Sequence, residues 1–175
     1  MNNIKNNFLS AVKTFAVVAA IGLSIGKAQG VFITEIADPG NDAGARFVEL
    51  YNSGSTDIDL GAGGYKVQRW TNGNSNPTAS SIKDLTGVIP AGGFYILAPG
   101  DGSAFQSTYG FAANQGIGNG GAADSNGDDQ IAITNSTGDI LDIFGVPGED
   151  GTGTAHDFAD GRAERVANVT AGSVT

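Results

Sequence analysis

Short segments of alternating or apolar residues recur along this chain, and turn-forming residues separate them. Gly, Asn, Asp, Ser and Pro occur so often after residue 30 that no stretch keeps the 3.6-residue periodicity of an amphipathic helix. In the clearest segment Phe47, Glu49 and Tyr51 alternate with Val48 and Leu50, which places the two sets on opposite faces of a strand. The spacing predicts an all-β sandwich or barrel.

The strands of this sandwich can be placed from the same pattern. Asn135-Ser136-Thr137-Gly138 separates two of them, so the pair on either side is predicted to form a hairpin. Two weaker strands are predicted at Ile82–Leu85 and Ala163–Val166. The clearer strands are Val31–Ile36, Arg46–Tyr51, Asp57–Leu60, Tyr65–Trp70, Phe94–Ala98, Gln130–Thr134 and Asp139–Phe144.

Two stretches carry no strand pattern. Asn72–Ser81 is predicted to be a polar loop, since Asn76-Pro77 favours a turn. Gly100–Gly127 is rich in Gly, Ala and Asn, and it is predicted to be a second, longer loop. A loop of this length is unusual in a compact domain unless it has a function.

The first thirty residues have the pattern of a cleavable signal peptide. Lys5 and Lys13 precede an apolar stretch, FAVVAAIGLSI, that is too short to cross a bilayer as a stable helix. Cleavage after Gly30, with Ala28 at position −3, would release a chain beginning at Val31, and cleavage after Ala28 is the competing alternative. An uncleaved membrane anchor or a buried N-terminal helix is the alternative interpretation of this segment.

The net charge and the cysteine content exclude several classes of function for this chain. The whole chain has a formal charge of −9, and removal of the three lysines before residue 30 leaves about −12. Such a surface repels nucleic acid and anionic lipid, so we expect no direct nucleic-acid binding. No apolar stretch after residue 30 is long enough to cross a bilayer, so we also expect no membrane span after signal cleavage. There is no cysteine, which excludes disulfides, thiolate nucleophiles and Cys-ligated zinc.

Five motifs follow one another along the chain: ITEI from Ile33, FVELYN from Phe47, DL…GYKV from Asp59, IPAGGFYIL from Ile89, and DDQIAI with GDILD from Asp128. Taken in this order, they resemble the lamin-tail domain family in its bacterial secreted type. The resemblance covers roughly residues 31–145. It implies an all-β, immunoglobulin-like antiparallel β-sandwich, preceded here by the signal-peptide helix. The predicted domains are a signal peptide at 1–30, a lamin-tail-like domain at 31–146 and an irregular C-terminal extension at 147–175, with a polypeptide that continues beyond Thr175 kept as an alternative.

The sequence offers few candidates for catalysis. His156 is the only histidine, and it lies in a polar stretch with no nucleophile motif elsewhere, which favours an ordinary loop residue. Glu35 and Glu49 are expected to face each other across two strands, or to pair with Arg46 or Arg69. A structural network is favoured over an acid/base pair, because nothing else indicates a substrate cleft.

A calcium site is the main cofactor hypothesis. Asp124, Asn126 and Asp128 present oxygen atoms at alternate positions around a flexible glycine, and hard cations bind such oxygens. The segment is not an EF-hand, because its glycine is misplaced and no glutamate follows at the twelfth position. Ordinary turn chemistry explains the same residues equally directly.

The function predicted from these observations is a non-catalytic interaction or attachment domain of an exported protein, extracellular or on the cell surface, with the periplasm as a further destination. Its expected partner is a protein or a component of the cell surface or extracellular matrix. One alternative is the N-terminal accessory domain of a secreted nuclease or other hydrolase, because residues 148–153 are similar to the lamin-tail version that precedes such enzymes. The other alternative is a calcium-dependent adhesion or matrix protein.

Overall fold

Two β-sheets packed face to face dominate the structure, a computed structural model that describes residues 30–174. The predicted signal peptide lies outside the described residues, apart from Gly30. Every predicted strand is present, with ends that differ by one or two residues, and two short strands, β6 and β8, are additional. The strands are β1 Val31–Ala37, β2 Phe47–Asn52, β3 Ile58–Asp59, β4 Lys66–Trp70, β5 Lys83–Asp84, β6 Val88–Ile89, β7 Phe94–Ala98, β8 Gln115–Gly116, β9 Gln130–Thr134, β10 Ile140–Phe144 and β11 Arg162–Glu164.

The strand order defines an immunoglobulin-like β-sandwich. One sheet has five strands in the order β11-β1-β2-β7-β8, and the other has four in the order β10-β9-β4-β5. Strands β3 and β6 form a two-stranded ribbon. The described pairs are antiparallel except β7 with β8, which is parallel. The predicted hairpin is confirmed as β9 and β10.

The core lies between the two sheets and follows the alternation that the sequence shows. Val48 and Leu50 of β2 are fully buried, whereas Phe47, Glu49 and Tyr51 lie on the opposite face, as predicted. Each fully buried Leu or Ile contributes about 1.5–3 kcal/mol through removal of apolar surface from water. The central core residues are Ile33, Ile36, Val48, Leu50, Val67, Leu97, Ile131 and Ile133, joined by Leu60, Leu85 and Ile89 from the ribbon and its surroundings.

One helix lies inside the long stretch that was predicted to be a loop. Helix α1 spans Ser103–Tyr109, and Phe105 and Tyr109 share a face because they are four residues apart. Both rings contact Phe47 of β2, with centroid distances of 5.8 and 5.7 Å. The loop prediction was wrong for these residues because a helix this short is stabilised by tertiary packing rather than by its own propensity.

Residues 147–174 pack against the sandwich. Strand β11 pairs with β1, and Phe158 is buried in the core at 3% exposure. The predicted domain boundary at residue 146 stays a prediction, although these contacts make the following segment part of the packed structure. The described residues 30–174 contain no helix that is long and apolar enough to span a membrane.

Asp142 of β10 connects the two sheets. Its carboxylate accepts hydrogen bonds from the backbone N–H groups of Ile33 at 2.8 Å and Ser173 at 2.7 Å. Arg165 donates to both carboxylate oxygens at 2.8 Å and to the Ile33 carbonyl at 2.7 Å. This buried cluster, which we call the seam cluster, holds β1, β10 and the C-terminal segment together.

Candidate functional site

The outer face of the five-stranded sheet carries an unusual arrangement of aromatic and acidic side chains. Phe32 lies opposite Tyr51, and Tyr51 lies opposite Phe94, on three neighbouring strands. Their ring centroids are 5.7 and 4.8 Å apart. Phe94 is 55% exposed, so the aromatic row formed by these three residues presents one ring to solvent.

A row of three glutamates lies next to the aromatic row. Glu35 of β1 is directly opposite Glu49 of β2 on one side and Glu164 of β11 on the other. Like charges that face each other across neighbouring strands destabilise a sheet. The fold does not require this glutamate row, since any polar residue would suit a solvent-facing strand position.

The strand geometry is also irregular at this point. The pairing of β1 with β2 shifts between Ile33 and Glu35, so Thr34 is an extra residue without a partner in that ladder. Its hydroxyl donates a hydrogen bond to Glu49 at 2.7 Å. Bulges of this kind are enriched at functional sites, where they reorient side chains.

Arg162 balances part of the negative charge. It lies 3.4 Å from Glu35 and 3.1 Å from Glu164, but its side chain is 62% exposed. Exposed pairs of this kind contribute little because water and salt screen them. Within residues 30–174, no Lys or Arg forms an ion pair with Glu49.

The environment of Glu35 disfavours its ionised form. Burial raises the pKa of the Glu35 carboxyl above its ordinary value, and the charge of Arg162 opposes this rise. The neighbouring carboxylates of Glu164 and Glu49 raise this pKa further. Because Glu49 and Glu164 face Glu35, a cation placed among these three carboxylates would be favourable.

These side chains line a groove of about 430 Å³, which we call the outer groove. Val166, Ala167 and Val169 of the C-terminal segment form part of its wall, and Arg165 lies over the Phe32 ring, 5.5 Å from its centroid. A second depression of about 420 Å³ begins on the other side of Glu35 and is lined by Phe47, Tyr109 and Arg162. The glutamate row is therefore flanked by aromatic surface on both sides along the strand direction.

The two arginines that were considered as partners for the glutamates belong to a separate cluster. Arg46 donates to Asp38 at 2.6 Å and to Asp124 at 3.1 Å. Arg69 donates to Asp129 at 3.0 Å and to the Asp124 carbonyl at 2.8 Å. Of the predicted alternatives, Glu35 and Glu49 facing each other is the arrangement that the structure shows.

The predicted calcium residues do not form a single cluster of free oxygen atoms. Asp124 accepts hydrogen bonds from Arg46 and from the Gly120 N–H at 2.8 Å, and Asn126 is exposed. One oxygen of Asp128 lies 3.3 Å from the Thr152 hydroxyl, and the other is buried without a partner. Among residues 30–174, no three His, Cys, Asp or Glu side chains form a group able to hold a metal. The calcium site stays a prediction.

His156 lies in a loop, as expected, but its side chain is only 13% exposed. Its ring meets the ring of Phe144 edge-on, with centroids 6.2 Å apart, and its Nε2 is 3.7 Å from a Glu149 oxygen. No hydroxyl that could serve as a nucleophile is hydrogen-bonded to this ring among the interactions of the described residues. Within residues 30–174, the contacts of this ring are those with Phe144 and Glu149.

Part of this site was visible in the sequence and part was not. The alternation in β2 already placed Phe47, Glu49 and Tyr51 on one solvent-facing side. Glu164 and Phe94 were not identified as neighbours of these residues, because strand order and register are tertiary properties. The weak strand pattern at Ala163–Val166 was the only available signal for β11.

The fold and the site together define an immunoglobulin-like sandwich with an open, acidic and aromatic outer face. The sequence profile of the Lamin Tail Domain family matches residues 26–148. The chain belongs to the lamin-tail domain family, as its resemblance predicted, and this is a non-enzymatic, immunoglobulin-like domain family. A search of curated proteins found no match.

Proposed function

We propose that this chain is a non-catalytic attachment domain of an exported protein, which binds another protein or an extracellular surface component. The observation that carries the proposal is the outer groove on a sandwich of the lamin-tail family. A sandwich needs one buried face per sheet, so its outer face is free to bind a partner. Binding surfaces are commonly recognised by concave shape and by aromatic residues such as those here.

The N-terminal sequence supports export. Lys5 and Lys13, the apolar stretch that follows and the small residues at Ala28 and Gly30 are the three parts of a signal peptide. A disulfide-free domain of this size can be stabilised by its core after export. Its negative charge supports solubility and disfavours nucleic acid as the partner.

Export is tested by producing the full chain with a C-terminal tag in a bacterial host. We expect the product in the periplasm or medium, with an N-terminus at Val31, or at Gln29 if cleavage follows Ala28. A Val18→Asp variant, which interrupts the apolar stretch, should remain inside the cell and uncleaved. An uncleaved wild-type product in the membrane or cytoplasm would contradict the proposal.

The intact mass of the natural product separates an attachment domain from a part of a larger enzyme. A mass that matches residues 31–175 supports a stand-alone domain. A much heavier product with the same N-terminus would favour the alternative in which a secreted hydrolase continues beyond Thr175.

A further inference from the structure

The spacing of the outward side chains of β2, which line the outer groove and the second depression, matches the repeat of an extended peptide. Tyr51, Glu49 and Phe47 are successive outward residues of β2, so they lie about 6.6–6.8 Å apart along the strand. In an extended polypeptide, every second side chain points to the same side with the same spacing. When such a peptide runs along β2, the three side chains on its protein-facing side, at every second residue, lie against an aromatic, an acidic and an aromatic position.

The negative charge of the glutamate row favours a basic side chain at the middle position of the peptide. Three glutamates face one another in the glutamate row, and the exposed Arg162 is the cation that forms ion pairs with two of them. Glu49 has only the Thr34 hydroxyl and no basic partner within the described part of the chain. A Lys or Arg of the ligand would relieve this repulsion, and the adjoining aromatic rings add favourable cation–π contact.

The flanking positions favour apolar side chains. Phe94 and Tyr51 lie on one side of the glutamate row, and Phe47 and Tyr109 lie on the other. Phe94 remains 55% exposed in the unbound domain. Apolar side chains of a ligand would remove this surface from water.

Resting on the proposed attachment function, we propose that the outer groove and the adjoining second depression together bind an extended segment of a partner protein with the pattern apolar-x-Arg/Lys-x-apolar. The basic side chain contacts the glutamate row, and the apolar side chains contact the aromatic surface on either side. Because the cation is the recognised group, the interaction weakens as salt concentration rises.

The test uses two capped peptides of identical composition. Both are flanked by Gly-Ser and carry a fluorophore; one contains Leu-Ser-Arg-Ser-Leu and the other contains Leu-Arg-Ser-Ser-Leu. The protein is the full-chain product of the export experiment, and binding is measured by fluorescence anisotropy at several salt concentrations. We expect the first peptide to bind at least fivefold more tightly, because only its arginine is in register with both flanking leucines. Equal affinity would overturn the inference.

Two matched variants test where on the domain the peptide binds. Glu49→Gln should weaken binding about tenfold, since it removes the carboxylate that contacts the cation and that has no basic partner within residues 30–174. Asp84→Asn, which removes one charge from the opposite sheet, should leave affinity within twofold, because this side chain is 78% exposed and distant in the strand order. Equal losses in both variants would show general charge attraction and contradict a built groove.

The apolar contacts have their own pair of variants. Phe94→Ser should weaken binding several-fold, whereas Val146→Ser, at a residue of equal exposure (56%) that does not line the outer groove, should not. Circular dichroism confirms that each variant folds.

The remaining outcomes distinguish this inference from the proposed function. Self-association of the chain that protects the outer groove without peptide would show that a second copy is the occupant, and it would overturn the inference. Failure of both peptides with an exported, processed product would contradict the peptide groove and leave the attachment proposal standing. Peptide binding by a product that is not exported would contradict export alone.

Discussion

The arginine cluster and the glutamate row differ in how their charged side chains are paired. The arginine cluster consists of Arg46 and Arg69 with Asp38, Asp124 and Asp129. In the first, Arg46 and Arg69 each meet carboxylates, and Asp38 and Asp129 are fully buried. In the second, three carboxylates face one another beside a single exposed arginine. The first arrangement anchors residues 120–129 to the sheets, whereas the second is a source of instability that a ligand could relieve. The buried carboxylates of the arginine cluster each have a basic partner, whereas in the glutamate row Glu35 and Glu164 share the exposed Arg162 and Glu49 has no basic partner among residues 30–174.

The largest expected effect comes from breaking the arginine cluster. Arg69→Ala leaves the Asp129 carboxylate, which is fully buried, without its ion pair at 3.0 Å. We expect the free energy of unfolding to fall by about 3–5 kcal/mol, because an uncompensated buried charge is costly. Urea unfolding monitored by circular dichroism measures the change.

A double variant supplies the control for this experiment. Burial raises the pKa of Asp129 even though Arg69 opposes the rise, so the isolated pair is not strongly stabilising. Arg69→Met with Asp129→Leu should therefore recover part of the loss, because the buried charge is gone but the Gly120 and Asp124 carbonyls and the Asn72 N–H still lose their partners. A loss below about 1 kcal/mol in Arg69→Ala would show that the cluster does not support the fold.

The second effect concerns the seam cluster. Asp142→Asn keeps the shape of the side chain but weakens its interactions with Arg165 and the Ser173 N–H. We expect a loss of about 2–3 kcal/mol, since hydrogen bonds to charged groups are the strong ones. Hydrogen exchange should show faster exchange at Ile33 and in residues 162–174. Unchanged protection there would mean that the C-terminal segment is held by other contacts.

A substitution in the glutamate row should increase the free energy of unfolding, whereas the two substitutions above decrease it. Glu35→Gln removes one of the facing like charges and should stabilise the domain by about 0.5 kcal/mol at pH 7. The pKa of Glu35 is raised in the folded state, so the folded protein binds this proton more tightly than the unfolded chain does. Wild-type stability from this group therefore rises as pH falls through its folded pKa toward its unfolded pKa.

The advantage of Glu35→Gln should accordingly shrink as pH falls through that range. Urea unfolding of both proteins at neutral and acidic pH measures it, with Asp57→Asn, an exposed acidic residue outside the row whose oxygen accepts only the Ala91 N–H within residues 30–174, as the control. A destabilised Glu35→Gln protein at pH 7 would show that the Arg162 contact outweighs the repulsion, and the comparison between the two regions would fail.

The smallest expected effect is that of calcium. Asp124 is engaged by Arg46 and the Gly120 N–H, so we expect the melting temperature to change by less than about 1 °C between millimolar calcium and a chelator. A calcium site saturated at a hundred times its Kd would add about 2.7 kcal/mol, which corresponds to a rise of several degrees. Such a rise would support the predicted site at Asp124, Asn126 and Asp128.

Most of the sandwich could be predicted because alternation is a local property. The pattern in Phe47–Asn52 identified both the strand and the two faces of β2, and the turn after Thr134 identified a hairpin. Helix α1 could not be predicted in the same way, because Phe105 and Tyr109 are held on Phe47 by contacts that a local pattern does not show. The calcium hypothesis rested on the spacing of Asp124, Asn126 and Asp128 and could not include Arg46, which lies 78 residues away from Asp124.

By itself the amino-acid sequence determined the fold class, the family, the strand positions and the outward side of β2, because each depends on residues that are neighbours in the chain. The tertiary structure alone decided that Glu35, Glu49 and Glu164 form one row and that Arg46 and Arg69 pair elsewhere. Strand order and register bring together residues more than a hundred positions apart, as in the pairing of Glu35 with Glu164. The burial of the core residues on the inner face of the sheet fixes the strand register. The positions of the charged residues on the outer face therefore follow from the packing of the inner face.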